Sequence, residues 1–337
     1  MFRISTSTLL NSIPITLLVA ALTAAQALTP AGPKRPATVP AGYVITPYGY
    51  FDPSCVTHLA KGDVVRQDTN VIQHTSGASD NIHVCAYPHY KADGEKVIGD
   101  ERAVDQPTIS HAWVEYAGTT TTSAYGEIYA NWNVPPAPAT NDGQTVYLFN
   151  GLEDYNDVVT IIQPVLGWNS DYASAWGIAS WNCCVNGQVN EAPSQPVNSG
   201  DIILGYTFNN CASGTKTCGS WDVITWDLQN DKFSQMTDTT NYGQTFNWAF
   251  AGVLEVYDVA QCGDYPKNQD TNGGLPNGIA FDQLALWNDK FQVISNPAWA
   301  ICKPGSKGSD CPILLSKTGS PQCNYGGSVP KEVIITY

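Results

Sequence analysis

The chain has 337 residues, 43% hydrophobic and 14% charged, and carries a formal net charge of −14 from 30 acidic and 16 basic side chains. That composition can bury a substantial core. It offers no cluster of Lys and Arg to hold a phosphate backbone, and no apolar span beyond the N-terminus is long enough for a bilayer, so nucleic acid and membrane partners are excluded.

Residues 1–27 read as a secretory signal peptide: Arg3 gives the positive start, "IPITLLVAALTAA" the apolar stretch, and "AQA" at 25–27 an A-x-A-like cleavage site. The protein is therefore expected to be secreted and extracellular, where ten cysteines suggest disulfides. Cys211 and Cys218 close a short loop and should pair, and Cys55 and Cys85 are candidates to pair in the N-terminal part. The vicinal Cys183 and Cys184 are expected to find partners elsewhere. The cysteine spacings do not repeat C-x-x-C and all five histidines precede residue 112, so neither a zinc site nor any other metal or cofactor is expected. There is no N-x-[ST] sequon.

Residues 28–108 contain no tryptophan, four of the five histidines and a Pro-rich start. A segment this small has little core of its own; it reads as a removable pro-segment or as a permanent N-terminal subdomain. From residue 109 to 337 the pattern is strand after strand: "HAWVEYAG", "AYGEIYANWNVP", "TVYLFNGL", "DVVTIIQPVLGW", "YASAWGIASW", "DIILGYTF", "WDVITWDL", "QTFNWAFAGVLEVYDV", "GIAFDQLALW" and "KEVIITY". Turn-rich stretches separate them and no helical period is sustained. Short strands spaced by turns predict an all-β fold, an antiparallel two-sheet β-sandwich of jelly-roll, concanavalin A-like lectin/glucanase type, with a Cys-rich C-terminal part.

The common catalytic signatures are missing. There is no G-x-S-x-G elbow, no H-E-x-x-H, no Asp-Thr/Ser-Gly, no P-loop and no dinucleotide fingerprint. Proton chemistry in the β-rich part must come from carboxylates assisted by amides or aromatic groups. Two residues break the local pattern. Glu255 sits in "AGVLEVYDV" with apolar or aromatic neighbours on both faces of its strand, where a carboxylate is costly without compensation. Gln163 sits in "TIIQPVLGW", and a buried amide needs partners.

These stretches, with "NWNVPP" at 131–136, "VYLFNGLED", "SGDIILGYTF" and "IAFDQLALWN", come in the order found in the secreted glutamic peptidases, the eqolisins, and the chain resembles that family over residues 111 to about 290. It departs in Leu254, where the family commonly has a small residue, in Cys183-Cys184 and in the inserted "NNCASGTKTCGS". The resemblance implies a β-sandwich and a catalytic pair of Gln163 and Glu255, which together hold a water that attacks the scissile carbonyl in an acid medium. The related neprosin-like peptidases use two glutamates and an N-terminal pro-domain; in that reading Glu153 is the first partner. Trp132, Trp168 and Trp176, with Glu153, are the expected substrate-binding residues of a monomeric enzyme acting on polypeptides. A carbohydrate-active or carbohydrate-binding sandwich is the alternative, with Glu153 and Glu255 as a possible carboxylate pair.

Overall fold

The computed structural model describes residues 35–66, 69, 71–82, 84–97, 112–156, 160–184, 187–267, 278–306, 311, 323–329 and 332–337. The expected signal peptide and the expected boundary at 108 fall outside the described residues.

The N-terminal segment forms eight short strands: β1 Val44–Thr46, β2 Gly49–Phe51, β3 Val56–His58, β4 Val64–Arg66, β5 Val71–Gln73, β6 Ser79–Asn81, β7 His89–Tyr90 and β8 Lys96–Val97. The next seven are β9 Trp113–Thr120, β10 Tyr125–Asn133, β11 Thr145–Glu153, β12 Ile161–Trp168, β13 Trp176–Cys183, β14 Val189–Glu191 and β15 Gln195–Val197. The remainder are β16 Ile202–Asn209, β17 Trp221–Asp227, β18 Lys232–Thr239, β19 Trp248–Tyr257, β20 Gly278–Asn288, β21 Ala300–Cys302, β22 Gly326–Ser328 and β23 Val333–Thr336.

They assemble into an antiparallel β-sandwich. One sheet has the order β18-β17-β16-β10-β20-β23-β22, the other β21-β9-β19-β11-β12-β13-β14-β3 with β15 beside β13. Between them lies one core that includes Ile128, Trp132, Leu148, Ile162, Leu166, Trp168, Trp176, Leu254 and Phe281. The seven-stranded sheet shows the alternation expected of a sheet with one free face: β16 is buried at every second residue. The nine-stranded sheet does not, because β11, β12, β13 and β19 are buried throughout.

The reason is the N-terminal segment, which packs on the outer face of that sheet. Tyr43, Tyr50, Phe51 and Tyr90 share a second core with Trp113, Tyr147, Phe149, Trp181, Phe250 and Tyr257. The segment also extends the sheet, since β3 pairs parallel with β14 through Val56–Val189, Thr57–Asn190 and His58–Glu191. Each large apolar side chain buried in this second core contributes about 1.5–3 kcal/mol of transfer free energy.

The Cys55–Cys85 and Cys211–Cys218 bonds form as expected, and Cys262–Cys323 and Cys302–Cys311 complete the C-terminal part. The expectation for Cys183 and Cys184 is corrected: they are bonded to each other, the other eight cysteines having paired among themselves. Among the described residues no helix is long and apolar enough to cross a membrane, and no His, Cys, Asp and Glu group could hold a metal ion.

Candidate active site

In an antiparallel pair, directly opposed residues share a face, so register fixes which side chains meet. On β12, Ile161 and Val165 belong to the outer core while Ile162 and Leu166 belong to the inner one. Gln163 is therefore an outer-face residue. It opposes Trp181 on β13, which opposes Glu191 on β14, which opposes His58 on β3. A single row thus carries an amide, an indole, a carboxylate and an imidazole, all on the face that the N-terminal segment covers.

Gln163 is fully buried. Its Nε2 donates to the carbonyl of Pro47, at the tip of the β1–β2 hairpin, at 3.1 Å. Its Oε1 has no hydrogen-bond partner among the described residues. On β11 the position opposite Gln163 is Gly151; a Cβ there would lie 2.9 Å from the Ile162 carbonyl oxygen and 3.3 Å from the Gln163 Cβ. The glycine gives the Gln163 side chain its room.

Glu255 is on the same outer face and is also fully buried. Trp113 Nε1 donates to its Oε2 at 3.1 Å and the Tyr257 hydroxyl to its Oε1 at 2.5 Å. Two donors aimed at one carboxylate answer the desolvation problem that its sequence position poses. Tyr147 opposes Glu255 across the β11–β19 pair. Burial lifts the Tyr147 phenol far above its usual range, so it remains a hydroxyl donor.

By register Gln163 and Glu255 sit apart on the outer face, each with its own hydrogen-bond partners. Glu255 opposes Tyr147, which opposes Gly167, and Gly167 lies four residues from Gln163 along β12. Two strand spacings and four residues of rise put the two Cα atoms about 16 Å apart. The carboxylate that neighbours Gln163 is Glu153. It opposes Ile161 and Trp248, both in the outer core, and is 3% exposed. It is the diagonal neighbour of Gln163, a separation of about 7 Å between Cα atoms.

The three tryptophans expected to line a cleft do not reach this face. Trp132 is buried between the sheets with its ring 5.3 Å from Phe281, and Trp168 and Trp176 pack edge to face at 5.4 Å in the same inner core. Burial there removes them from any substrate. Trp181, beside Gln163, lies on the outer face with Trp113 and Trp248. Sequence alone could not separate it from the others, because both faces of β13 are apolar.

Acidic groups at the edges of the outer face are held toward the neutral form. Burial raises the Asp258 carboxyl, while the Tyr50 hydroxyl, 2.7 Å away, and Arg35 pull it down. Asp171 belongs to an exposed residue, yet its carboxyl is crowded against Glu191. Loss of water and then the Glu191 charge push it up to about 8. His58 is raised, first by its hydrogen bond to Glu191, whose Oε2 lies 2.7 Å from Nδ1.

Compared with protein-family models and with curated proteins, the chain matches none. Among solved structures it is similar to scytalido-glutamic peptidase bound to a peptide-based transition-state analogue, at 12% identity and a TM-score of 0.43, over 67% of this chain and 98% of that one. It is also similar to SCP-B, a member of the eqolisin family of peptidases in complex with the tripeptide Ala-Ile-His, at 12% identity, a TM-score of 0.41 and the same coverage. The CBM2 module of the Lactobacillus casei BL23 phage J-1 evolved Dit matches at 8% identity and a TM-score of 0.25, over 68% of this chain and 94% of that one.

Proposed function

We propose that this chain is a secreted, acid-acting endopeptidase whose reaction takes place on the outer face of the nine-stranded sheet. The observation that carries the reading is the Gln163 amide, buried and donating to a peptide carbonyl at 3.1 Å. An amide in that geometry polarises a carbonyl and stabilises the oxyanion that forms when water attacks it; losing one such donor costs about 3 kcal/mol.

A carboxylate must take the proton of that water and pass it to the leaving amine, help worth on the order of 10²–10⁴-fold. Glu153, next to Gln163 on the same face, is better placed for this than Glu255. Glu255 has Trp113 and Tyr257 on its carboxylate and reads as an organiser of the aromatic floor. The glycosidase alternative fares worse. Glu153 and the Glu255-opposed Tyr147 are six residues apart on β11, about 20 Å, whereas the carboxylates of glycosidases lie roughly 5–9.5 Å apart.

The test is hydrolysis of an unfolded protein substrate from about pH 2 to 7 by the chain and by Gln163→Ala, Glu153→Gln and Glu255→Gln. Activity should be acid-dependent, fall roughly 10²-fold or more in the first two variants, and survive in the third. Full activity in Gln163→Ala sinks the proposal. Loss in Glu255→Gln with retention in Glu153→Gln transfers the acid–base role to Glu255.

A further inference from the structure

The seven-stranded sheet keeps one face toward solvent, and that face is not polar. On β16 the outward positions are Ile202, Leu204, Tyr206 and Phe208, where an open sheet face ordinarily carries polar side chains. Register extends the same character across the sheet. Trp287 on β20 opposes Glu127 on β10, which opposes Phe208, which opposes Asp222 on β17. The adjacent row runs from Tyr129 through Tyr206 to Ile224, and the next from Leu204 through Trp226 to Phe233. Trp226 is 36% exposed, and the other aromatic residues of these rows are half-buried. An open aromatic face of this extent marks a binding surface.

Within it, Glu127 is the informative residue. Its directly opposed neighbours are Phe208 and Trp287, and the Tyr206 hydroxyl donates to its Oε1. The Tyr206 ring centre lies 4.8 Å from that of Phe208 and 6.0 Å from that of Tyr129. Burial, and after it the Glu127 hydrogen bond, raises the Tyr206 phenol, which therefore stays a donor. A half-buried carboxylate walled by aromatic rings suits an organic ammonium: the carboxylate supplies the opposite charge and the rings the cation–π attraction.

The rest of the face has the matching sign. Asp222 continues the row of Glu127, and Asp282 is exposed on β20. Among the described residues, Lys232 is the sole basic residue on these strands, and its Nζ donates to the Pro196 carbonyl at 2.7 Å. An ammonium already sits against this face: Lys61 Nζ lies 4.7 Å from the centre of the Phe233 ring.

Two features select the kind of cation. The rows cross neighbouring strands about 4.8 Å apart and make a broad surface, which fits an extended chain rather than an enclosed small molecule. A peptide laid over this surface finds no main-chain partners, because β10, β16 and β17 are each paired on both sides. A sugar polymer needs none: the C–H faces of its rings stack on aromatic side chains while its hydroxyls stay in water.

We propose that the free face of the seven-stranded sheet is a binding platform for a polymer of amino sugars, with a protonated amine on Glu127 between Phe208 and Trp287 and neighbouring sugar rings on the aromatic rows beside it. The platform lies on the sheet opposite Gln163 and is independent of the peptidase reading.

The test titrates the full chain with a β-linked glucosamine oligomer by calorimetry at about pH 5.5, where a glutamate is ionised and the sugar amine is protonated. Glu127→Gln, which keeps the shape of the side chain, should weaken binding about tenfold or more, as should Trp287→Ala. Trp226→Thr, at an exposed position, takes the place of Trp287→Ala where that variant does not fold. The N-acetylated oligomer should bind about tenfold more weakly than the free amine, and added salt should weaken the free amine's binding. Gln163→Ala should bind the oligomer as the unaltered chain does. Absence of binding, binding unchanged by Glu127→Gln, or equal affinity for a neutral glucose oligomer overturns the proposal. Tighter binding of a lysine-rich peptide than of the glucosamine oligomer also overturns it and gives the face to a peptide. Dimerisation that Trp226→Thr abolishes overturns it in favour of a second copy of the chain.

Discussion

Glu115 offers a sharp test of how this fold responds to pH. It sits on β9 opposite Leu254, an inner-core residue, and is fully buried. Burial dominates its environment, with Lys303 and the Gly326 backbone pulling weakly the other way, and its pKa is pushed up to about 9. In the unfolded chain the group titrates near its ordinary value of 4.5. Between those two values the native state binds the proton and the unfolded state does not, so stability falls as pH rises through the window. Each unit corresponds to about 1.4 kcal/mol, which makes the native state about 3 kcal/mol less stable at pH 7 than at pH 4 from this group alone. Glu115→Gln removes the titration. The amide carries its own pH-independent cost, so the decisive quantity is the difference between unfolding free energies at pH 4 and pH 7, measured by urea denaturation followed through tryptophan fluorescence with disulfides intact. That difference should shrink by about 3 kcal/mol in the variant. An unchanged difference would refute the assignment of Glu115 as a neutral core residue.

Four further variants address the outer face and the inner core. Gly151→Ala places a Cβ 3.3 Å from that of Gln163 and 2.9 Å from the Ile162 carbonyl oxygen; peptide hydrolysis should fall about tenfold or more from misplacement of the amide, while circular dichroism shows the sandwich intact. Trp132→Ala should cost about 3–5 kcal/mol in urea denaturation because it empties the inner core, whereas Trp181→Phe should change KM for peptides with less than about 1.5 kcal/mol of destabilisation. Trp113→Phe removes one donor from buried Glu255 and should destabilise by about 1–3 kcal/mol near neutral pH.

Much of the fold is legible from the chain because long apolar strands announce themselves. β9 to β13, β16, β17, β19, β20 and β23 fall on the stretches that alternate or crowd Val, Ile and aromatic residues, several running one or two residues past them. β18, with Lys232, Ser234, Gln235, Thr237, Asp238 and Thr239, escapes that reading because it is a polar edge strand that buries Ser234 and Met236. The strands of the N-terminal segment escape it because each is only two or three residues long. The site is half legible. Gln163 and Glu255 stand out as polar residues in apolar strands and do share one buried face. Their spacing along that face depends on how strands slide past one another, and β11 against β19 shifts register between Phe149 and Gly151. No local pattern encodes that shift. The same two-sided burial hides which tryptophans face inward, since alternation carries no information when both faces are apolar.

The pH response of the fold has the same sign at several sites. Carboxyl groups at three separate places, Glu115 in the inner core, Asp258 under the hairpin and Asp282 on the opposite sheet, all have raised pKa values with burial as the leading cause. For each of them the sign is the same: the native state holds its proton more tightly than the unfolded chain, so stability is lost as pH rises and kept as it falls. A chain with 30 acidic and 16 basic residues also sheds internal repulsion as its carboxylates neutralise. Around the candidate site, a glutamate base and an amide donor work with ordinary carboxylate chemistry only where the pH is near a carboxyl pKa. On the proposed reading, the core that holds Glu115 neutral and the outer face that places Glu153 beside Gln163 both favour a medium near or below the carboxyl pKa.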